Sequence, residues 1–372
     1  MKISVVLPCR NEEQSVEICI KKIKQALKGK DYEIIVADSS SDRSAQIAKK
    51  QGKNIRVVKH NLIGYGNAIL QGLQHAKGEY IIIGDADNTY NFLEIPRLVA
   101  ELDKGYDLVV GNRLKGKIEP GAMPASHRYL GTPVLNFLIK LFFGKRFSDI
   151  NSGFRAIKKQ ALEKLELKTK GMEFASEMLM KAIKNNLKIK EIPITYSKRI
   201  GQSKLKTWHD GYKHLRFLLL WSPNFVLLYP GLILVILGFL IMVLTLLEEL
   251  VLFGFQFQTH PMFIGAALSI LGYQSILTGI FAKIYAHNHL NEKNPNLEKL
   301  YRFFSLEKGI LIGALLFLVG FIIYLYILIT WIARNFGALE TINIGIIGLT
   351  FIIIGIQTIF AGFFFSILGI EK

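Results

Sequence analysis

Beyond Pro223 four apolar runs follow one another, at about 225–247, 261–282, 309–333 and 342–367. Each is at least as long as the ~20 residues an α-helix needs to cross ~30 Å of hydrocarbon. Inside a membrane the backbone can satisfy its own polar groups only as a helix or a closed barrel. Buried helices of soluble proteins rarely come as four such runs in succession. The pattern therefore predicts an integral membrane protein, with 1–222 as a polar domain and 223–372 as an all-α membrane domain of four helices.

Charge divides along the same line. Of 46 Lys+Arg and 29 Asp+Glu, residues 1–222 hold 39 and 22, and residues 223–372 hold seven of each. The net charge of +17 thus belongs to the polar domain and points to an anionic partner: lipid headgroups, nucleotide phosphates or nucleic acid. A 51% hydrophobic composition excludes a disordered chain. Two cysteines, Cys9 and Cys19, are too few for a disulfide framework or a thiolate zinc site. A reducing compartment is the expectation.

The connection 283–308 carries Lys283, Lys293, Lys299, Arg302 and Lys308, whereas 248–260 carries no Lys or Arg and 334–341 only Arg334. Positive-inside bias then places 283–308, both termini and the polar domain in the cytoplasm. Met1–Arg10 holds too short an apolar stretch for a signal core. Glu248 and Glu249 close the first span on the outer side. Tyr273, Gln274, Ser275, Thr278, Gln357 and Thr358 lie within spans, where hydrogen bonds between helices at ~0.6 kcal/mol each would account for them. No ionisable Asp, Glu, Lys, Arg or His sits mid-span, which argues against an ion pathway.

In the polar domain, β-rich runs at Ile3–Leu7, Glu33–Ala37, Ile55–Val58, Tyr80–Gly84 and Asp107–Val110 alternate with helical patterns at Glu12–Leu27, Arg43–Gln51, Gly66–Ala76 and Leu93–Asp103. This alternation predicts an α/β fold, a mainly parallel sheet with helices on both faces. Ligands of such sheets bind outside the carboxyl ends of the strands. The polar groups that follow the strands, Pro8–Glu12, Asp38–Asp42 and Asp85–Asp87, should therefore share one edge. The chain has neither the Gly-rich dinucleotide fingerprint nor a phosphate-loop lysine motif.

Asp85-Ala86-Asp87 places two acids at i, i+2 after an apolar strand, on the same side of an extended chain. A divalent cation completed by substrate phosphates would relieve their repulsion. The alternative is that one of them caps the next helix. Asp38-Ser-Ser-Ser-Asp42 suits a base or ribose, and Ser41 or Asp42 equally suits the N-terminus of the following helix.

Taken together these segments resemble the family 2 glycosyltransferases, specifically the polyprenyl-phosphate sugar transferases similar to dolichyl-phosphate mannose synthase. The resemblance covers residues 1 to about 222. It rests on Ser4-Val-Val-Leu-Pro-Cys-Arg-Asn-Glu12, Val36-Ala-Asp-Ser-Ser-Ser-Asp42, Gly84-Asp-Ala-Asp87 and Gly111-Asn-Arg113. Asp149-Ile-Asn-Ser-Gly-Phe-Arg155 and Arg199-Ile-Gly-Gln-Ser-Lys204 complete it. Ala37 stands where the family has the first acid of an Asp-Asp pair, and Thr89 where some mannose synthases have Gln. The Gln-x-x-Arg-Trp signature of processive synthases is absent.

The resemblance implies a Rossmann-like nucleotide-sugar transferase (GT-A) domain. It implies a nucleoside-diphosphate hexose as donor, with GDP-mannose and UDP-glucose leading, and dolichyl or undecaprenyl phosphate as acceptor. Transfer would run with inversion, assisted by Mg²⁺ or Mn²⁺ on Asp85 and Asp87. Pro8, Asn11, Glu12, Asp38, Asp85 and Lys204 would bind the donor. Arg113, Arg128 and Ser152 would hold the acceptor phosphate. Asp87, Arg113 and Arg199 would carry the chemistry. A phosphate monoester with a second pKa near ~6 is largely a dianion at neutral pH and needs no general base.

A broad apolar face over 131–143, followed by Lys145-Arg146, and six basic residues within 198–216 suit helices lying at the membrane surface. Residues 115–126 read as a loop able to close over donor. Adjacent spans and interfacial helices are compatible with a homo-oligomer. Nucleic acid is not expected as a partner, because the lysines are not interleaved with aromatics. The competing readings are a transferase acting on a lipid or glycan hydroxyl and a non-catalytic membrane protein that binds nucleotide or RNA.

Overall fold

The computed structural model describes residues 2–202, 207–247, 251–252, 255–256, 259–289, 306–339 and 341–369. Lys204, the pair Glu248-Glu249 and the loop cations Lys293, Lys299 and Arg302 lie outside them. The chain forms two compact units, Met1–Leu218 and Leu219–Lys372.

The first unit is built on a seven-stranded sheet. Its strands are β1 (Ile3–Cys9), β2 (Tyr32–Asp38), β3 (Ile55–Lys59), β4 (Tyr80–Ile83), β5 (Leu108–Ile118), β6 (Arg155–Lys158) and β7 (Ile189–Tyr196), in the order β3-β2-β1-β4-β6-β5-β7. Neighbours β3, β2, β1 and β4 are all parallel; β6 runs antiparallel to both β4 and β5, and β7 is parallel to β5. The sheet is thus mainly parallel, as expected. β6 and β7 are strands that the alternation did not yield. β6 is only four residues long, and β7 carries Pro193 and alternates weakly.

Both faces of the sheet are covered, which is why β1 reads as an almost continuous apolar run. Ile3, Val5 and Leu7 enter one core with α1 (Val16–Ala26) and α4 (Ile95–Asp103). Val6 enters the other with α3 (Tyr65–Leu73), α5 (Thr132–Phe143) and α7 (Phe174–Lys184). α1 buries Val16, Cys19, Ile20 and Ile23, an i, i+3, i+4, i+7 stripe. The one polar residue inside β1, Ser4, is fully buried and donates a hydrogen bond to Glu33 Oε1 at 2.7 Å, since buried hydroxyls are normally hydrogen-bonded. Between these elements lie α2 (Ser44–Lys50), α6 (Lys159–Glu163) and, at the end of the unit, α8 (Thr207–Leu220).

Residues 115–118 correct one expectation. They belong to β5, which resumes pairing with β7 after an irregularity, Lys117 beside Thr195 and Ile118 beside Tyr196. A Cβ at Gly116 would lie 1.9 Å from the Ile194 carbonyl oxygen, so the glycine is what lets the two strands close here. The connecting segment shortens to 119–126.

In the second unit four helices, Asn224–Leu247, His260–Ala286, Leu306–Ala333 and Ile342–Leu368, are long and apolar enough to span a membrane. They pair through glycines, as membrane helices do when backbones approach closely. Gly238 of the first faces Gly265 of the second, and Gly313 of the third faces Gly355 of the fourth. Tyr273 and Thr358 share a hydrogen bond of 2.6 Å between helices, and Ser275 donates to the Leu227 carbonyl at 2.9 Å. Thr278 instead bonds back to Gln274 of its own helix.

Candidate active site

The carboxyl ends of β1, β2 and β4 do meet at one edge. There the turns after β1 and β2 are tied to each other. Asn11, in the left-handed region at φ 53°, accepts the Ser41 N–H at 2.9 Å, and its own N–H reaches Ser40 Oγ at 2.8 Å. The Glu12 N–H donates to Ser44 Oγ at 2.8 Å. Asp42 accepts the N–H groups of Ser44 at 2.9 Å and Glu13 at 3.2 Å, so it serves as a turn residue that ties the two turns together. Pro8 is paired in register with Ala37, next to this knot. Asp38 differs from its neighbours. It is buried, its Oδ1 makes no hydrogen bond, and the His60 ring nitrogens just beyond β3 are likewise without partners.

The β4 exit is more charged. Asp87 is buried, and its Oδ1 accepts both the N–H and the hydroxyl of Thr89, at 3.0 and 2.6 Å. Its Oδ2 receives Arg199 Nη1 at 2.8 Å, while Nη2 of the same guanidinium reaches Glu12. Arg199 thus bridges the β1 turn and the β4 exit. The segment that carries it is pinned by Ser197 N–H to the Thr89 carbonyl (2.8 Å) and Ile200 N–H to the Asp87 carbonyl (3.1 Å). Asp85 Oδ1 is buried and has no hydrogen-bond partner. Burial, and then the charge of Asp87, push the Asp85 carboxyl up to about 7.

On the far side, Arg113 grips Asp149 with two parallel bonds of 2.7 Å from Nε and Nη2, and its N–H adds a third at 2.9 Å. The guanidinium also lies 5.1 Å from the centre of the Tyr196 ring. Arg155 is buried without a carboxylate. It donates instead to the carbonyls of Ser152 (2.9 Å), Ala175 (2.6 Å) and Ile150 (2.7 Å), which shapes the 149–155 segment. Burial lowers its guanidinium to about 10. Ser152 is fully buried, and its hydroxyl has no partner. Arg128 is exposed on the turn His127–Gly131 that leads into α5, with its guanidinium over Tyr129 at 5.3 Å.

The structure therefore gathers Glu12, Asp87 and Arg199 into one network, ties Asn11 to Ser40 and Ser41, sets Asp85 beside Asp87, and pairs Arg113 with Asp149. It leaves Arg128 out of both groups. Among the described residues no three His, Cys, Asp or Glu side chains gather as a metal cluster. Asp85 and Asp87 alone fit a hard cation that takes its other ligands from phosphate and water. Sequence reasoning did not single out Tyr65, Tyr90, His60 or Arg155.

Comparison with known proteins decides the family. The family model for glycosyl transferase family 2 matches residues 4–166, and that for the glycosyltransferase family 2 C-terminal transmembrane region matches 280–369. The low-salt glycan biosynthesis hexosyltransferase Agl6 of Haloferax volcanii is 36% identical over 370 residues, 99% of this chain and 89% of the relative. The chain belongs to glycosyltransferase family 2. Dolichol-phosphate mannosyltransferase of Pyrococcus furiosus is 31% identical over 60% of this chain and 65% of its own. Undecaprenyl-phosphate 4-deoxy-4-formamido-L-arabinose transferase of an Enterobacter species is 31% identical over 76% and 87%. As a family 2 glycosyltransferase, this membrane enzyme has the matched transferase region, 4–166, in its first unit and its apolar helices in the second.

Proposed function

We propose that this transferase moves a hexose from a nucleoside-diphosphate sugar to a polyprenyl phosphate, with inversion and with a divalent cation, at the cytoplasmic face of the membrane. The observation that carries the reading is the unbonded, buried Oδ1 of Asp85 beside buried Asp87, at the strand edge where sugar nucleotides bind. Asp85 and Asp87 would hold Mg²⁺ or Mn²⁺, which supplies positive charge to the departing diphosphate. The unpartnered Oδ1 of Asp38 suits an N–H or hydroxyl of the nucleoside. Asn11, Glu12 and Pro8 build the turn on which the nucleoside rests. Arg199, and Lys204 in the same Arg-x-Gly-x-Ser-Lys segment, are the cations for the diphosphate. To take that role Arg199 exchanges its bonds to Asp87 and Glu12 for phosphate oxygens.

Arg113 and the free hydroxyl of Ser152 are the acceptor-phosphate groups, with Arg128 at the membrane side. The carboxylate of Asp149 is engaged with Arg113, and Asp85 and Asp87 are assigned to the cation. That supports a nucleophile which arrives already ionised rather than one that needs a base. The membrane approach is supported by α5 and the turn before it. Tyr129, Leu130, Val134, Phe137 and Leu141 are exposed there beside Lys140, Lys145 and Arg146. Apolar and cationic groups on one exposed surface are what an anionic headgroup layer receives. Cytoplasmic orientation is supported by the five cations of the 283–308 connection.

The test is transfer of label into an organic-extractable lipid. Membranes carrying the protein receive polyprenyl phosphate, Mg²⁺ or Mn²⁺, and labelled GDP-mannose or UDP-glucose in turn. Label in an acid-labile lipid from one donor, lost in Asp87→Asn and with chelator, is the expected result. Absence of label from every donor, with folded protein, overturns the phosphate acceptor and would require a general base for a hydroxyl.

A further inference from the structure

Three oxygens converge on one bare α-carbon. A Cβ at Gly153 would stand 2.6 Å from the Tyr65 hydroxyl, 3.2 Å from Asp85 Oδ2 and 3.3 Å from the Tyr90 hydroxyl. Tyr90 Oη accepts the Gly153 N–H at 2.7 Å, which ties the 149–155 segment to the β4 exit. The Tyr65 hydroxyl and Asp85 Oδ2 thus face the same point above Gly153, with no side chain between them. Asp85 therefore has one oxygen on the Tyr65–Gly153 side and one, Oδ1, with no hydrogen bond at all.

Tyr65 is held in turn. It opens α3, whose first turn is docked through the Gly66 N–H to the Gly171 carbonyl and the Asn67 N–H to the Lys170 carbonyl, both 3.1 Å. The 168–171 loop is itself anchored on Glu177, which accepts the N–H groups of Lys168 (3.0 Å) and Thr169 (2.9 Å). A phenol, with an ordinary pKa of ~10, is protonated at neutral pH and acts as a donor.

We propose that Tyr65, seated in the space that Gly153 leaves, is the positioning residue of Asp85, orienting its carboxylate so that Oδ1 is presented to the divalent cation on the donor diphosphate. The inference rests on the reading of Asp85 as a metal carboxylate. A carboxylate otherwise free to rotate must be fixed before it can ligate, and partners behind a ligand typically change metal affinity 10- to 100-fold. A tyrosine that merely fills the core would do its work through the ring, and the hydroxyl would be dispensable.

Tyr65→Phe separates the two, because it keeps the ring and removes only the oxygen. Mn²⁺ is titrated into the full-length protein with guanosine diphosphate and, separately, with uridine diphosphate, and bound metal is read by electron paramagnetic resonance. Wild type, Tyr65→Phe, Gly153→Ala and Asp85→Asn are compared, with thermal melts alongside. The expected result is Mn²⁺ affinity about ten-fold weaker in Tyr65→Phe at an unchanged melting temperature. KM for polyprenyl phosphate should not move. Gly153→Ala should weaken Mn²⁺ as well. Wild-type Mn²⁺ affinity in Tyr65→Phe, while Asp85→Asn loses it, overturns the inference. Wild-type affinity in Asp85→Asn overturns the reading of Asp85 itself, and the inference with it.

Discussion

Asp38 Oδ1 apart, the turns after β1 and β2 satisfy one another, whereas the β4 exit, β5, the segment before β6 and the segment after β7 leave polar atoms unmet. In the first region Asn11, Glu12, Glu13, Ser40, Ser41, Asp42 and Ser44 pair across the two turns. In the second, Asp85 Oδ1, Asn112 Nδ2, Asn151 Oδ1, Ser152 Oγ and Arg199 Nε are buried and unpartnered. An unmet buried polar atom costs ~1–3 kcal/mol, so a chain keeps a group of them only where something else completes their bonds. The residues of the first region hold the shape of the edge, and in the proposed function those of the second complete their bonds on the substrates.

Asp85→Asn gives the sharpest break between the two. Transfer should fall about 10²–10³-fold, the scale of losing one electrostatic group aimed at developing charge, and the melting temperature should hold or rise. A matching loss of stability would make Asp85 a structural residue. Arg113→Ala should have the largest effect on stability, about 3–5 kcal/mol by denaturant unfolding, because it strands Asp149 as a buried, unpaired charge. An effect below 1 kcal/mol would mean that Asp149 is satisfied by other groups.

Asn11→Ala tests the knot. It loses the bonds from Ser41 and places alanine at positive φ, so ~1–2 kcal/mol of stability should go. Donor KM should shift only a few-fold. A large KM effect at full stability would move Asn11 into the ligand-binding group.

The pH dependence is a smaller effect. In the metal-free protein the Asp85 carboxyl is raised from its ordinary 3.8 to about 7. The folded state therefore holds the proton more tightly than the unfolded one. This group's contribution to stability declines as pH rises past the unfolded value, and the loss is complete above about 7. Melting curves of wild type and Asp85→Asn should converge at low pH and separate as pH rises, the variant being the more stable. Parallel curves would show that Asp85 ionises without cost.

The smallest signal belongs to the cysteines. Burial, then Asp38, raises Cys9 to about 12, and burial raises Cys19 to about 12. Neither should be alkylated at pH 8 until the protein unfolds. Rapid labelling would show that the edge opens in the native state.

Much of the fold was legible because the signals are local. The four spans, the alternation of strand and helix and the grouping of Pro8–Glu12, Asp38–Asp42 and Asp85–Asp87 at one edge all follow from periodicity and strand polarity. β6 was not legible. Four residues inside Arg155–Lys158 carry too little pattern, and only their place between β4 and β5 makes them a strand. The role of Thr89 was not legible either: in sequence it only stands where some mannose synthases have Gln, yet it holds Asp87 through two bonds.

The sequence by itself determined that this chain crosses a membrane, that its basic domain is α/β, and that acids gather where the strands end. These are consequences of hydropathy, spacing and chain direction. Only the tertiary structure decided how the charges pair. Arg199 meets Asp87 across 112 positions and Arg113 meets Asp149 across 36, separations over which no periodicity speaks. The same holds for Gly153, a glycine like many others in the sequence. Its meaning appears only when Tyr65, Asp85 and Tyr90, from two other segments, close on its α-carbon and leave no room for a side chain.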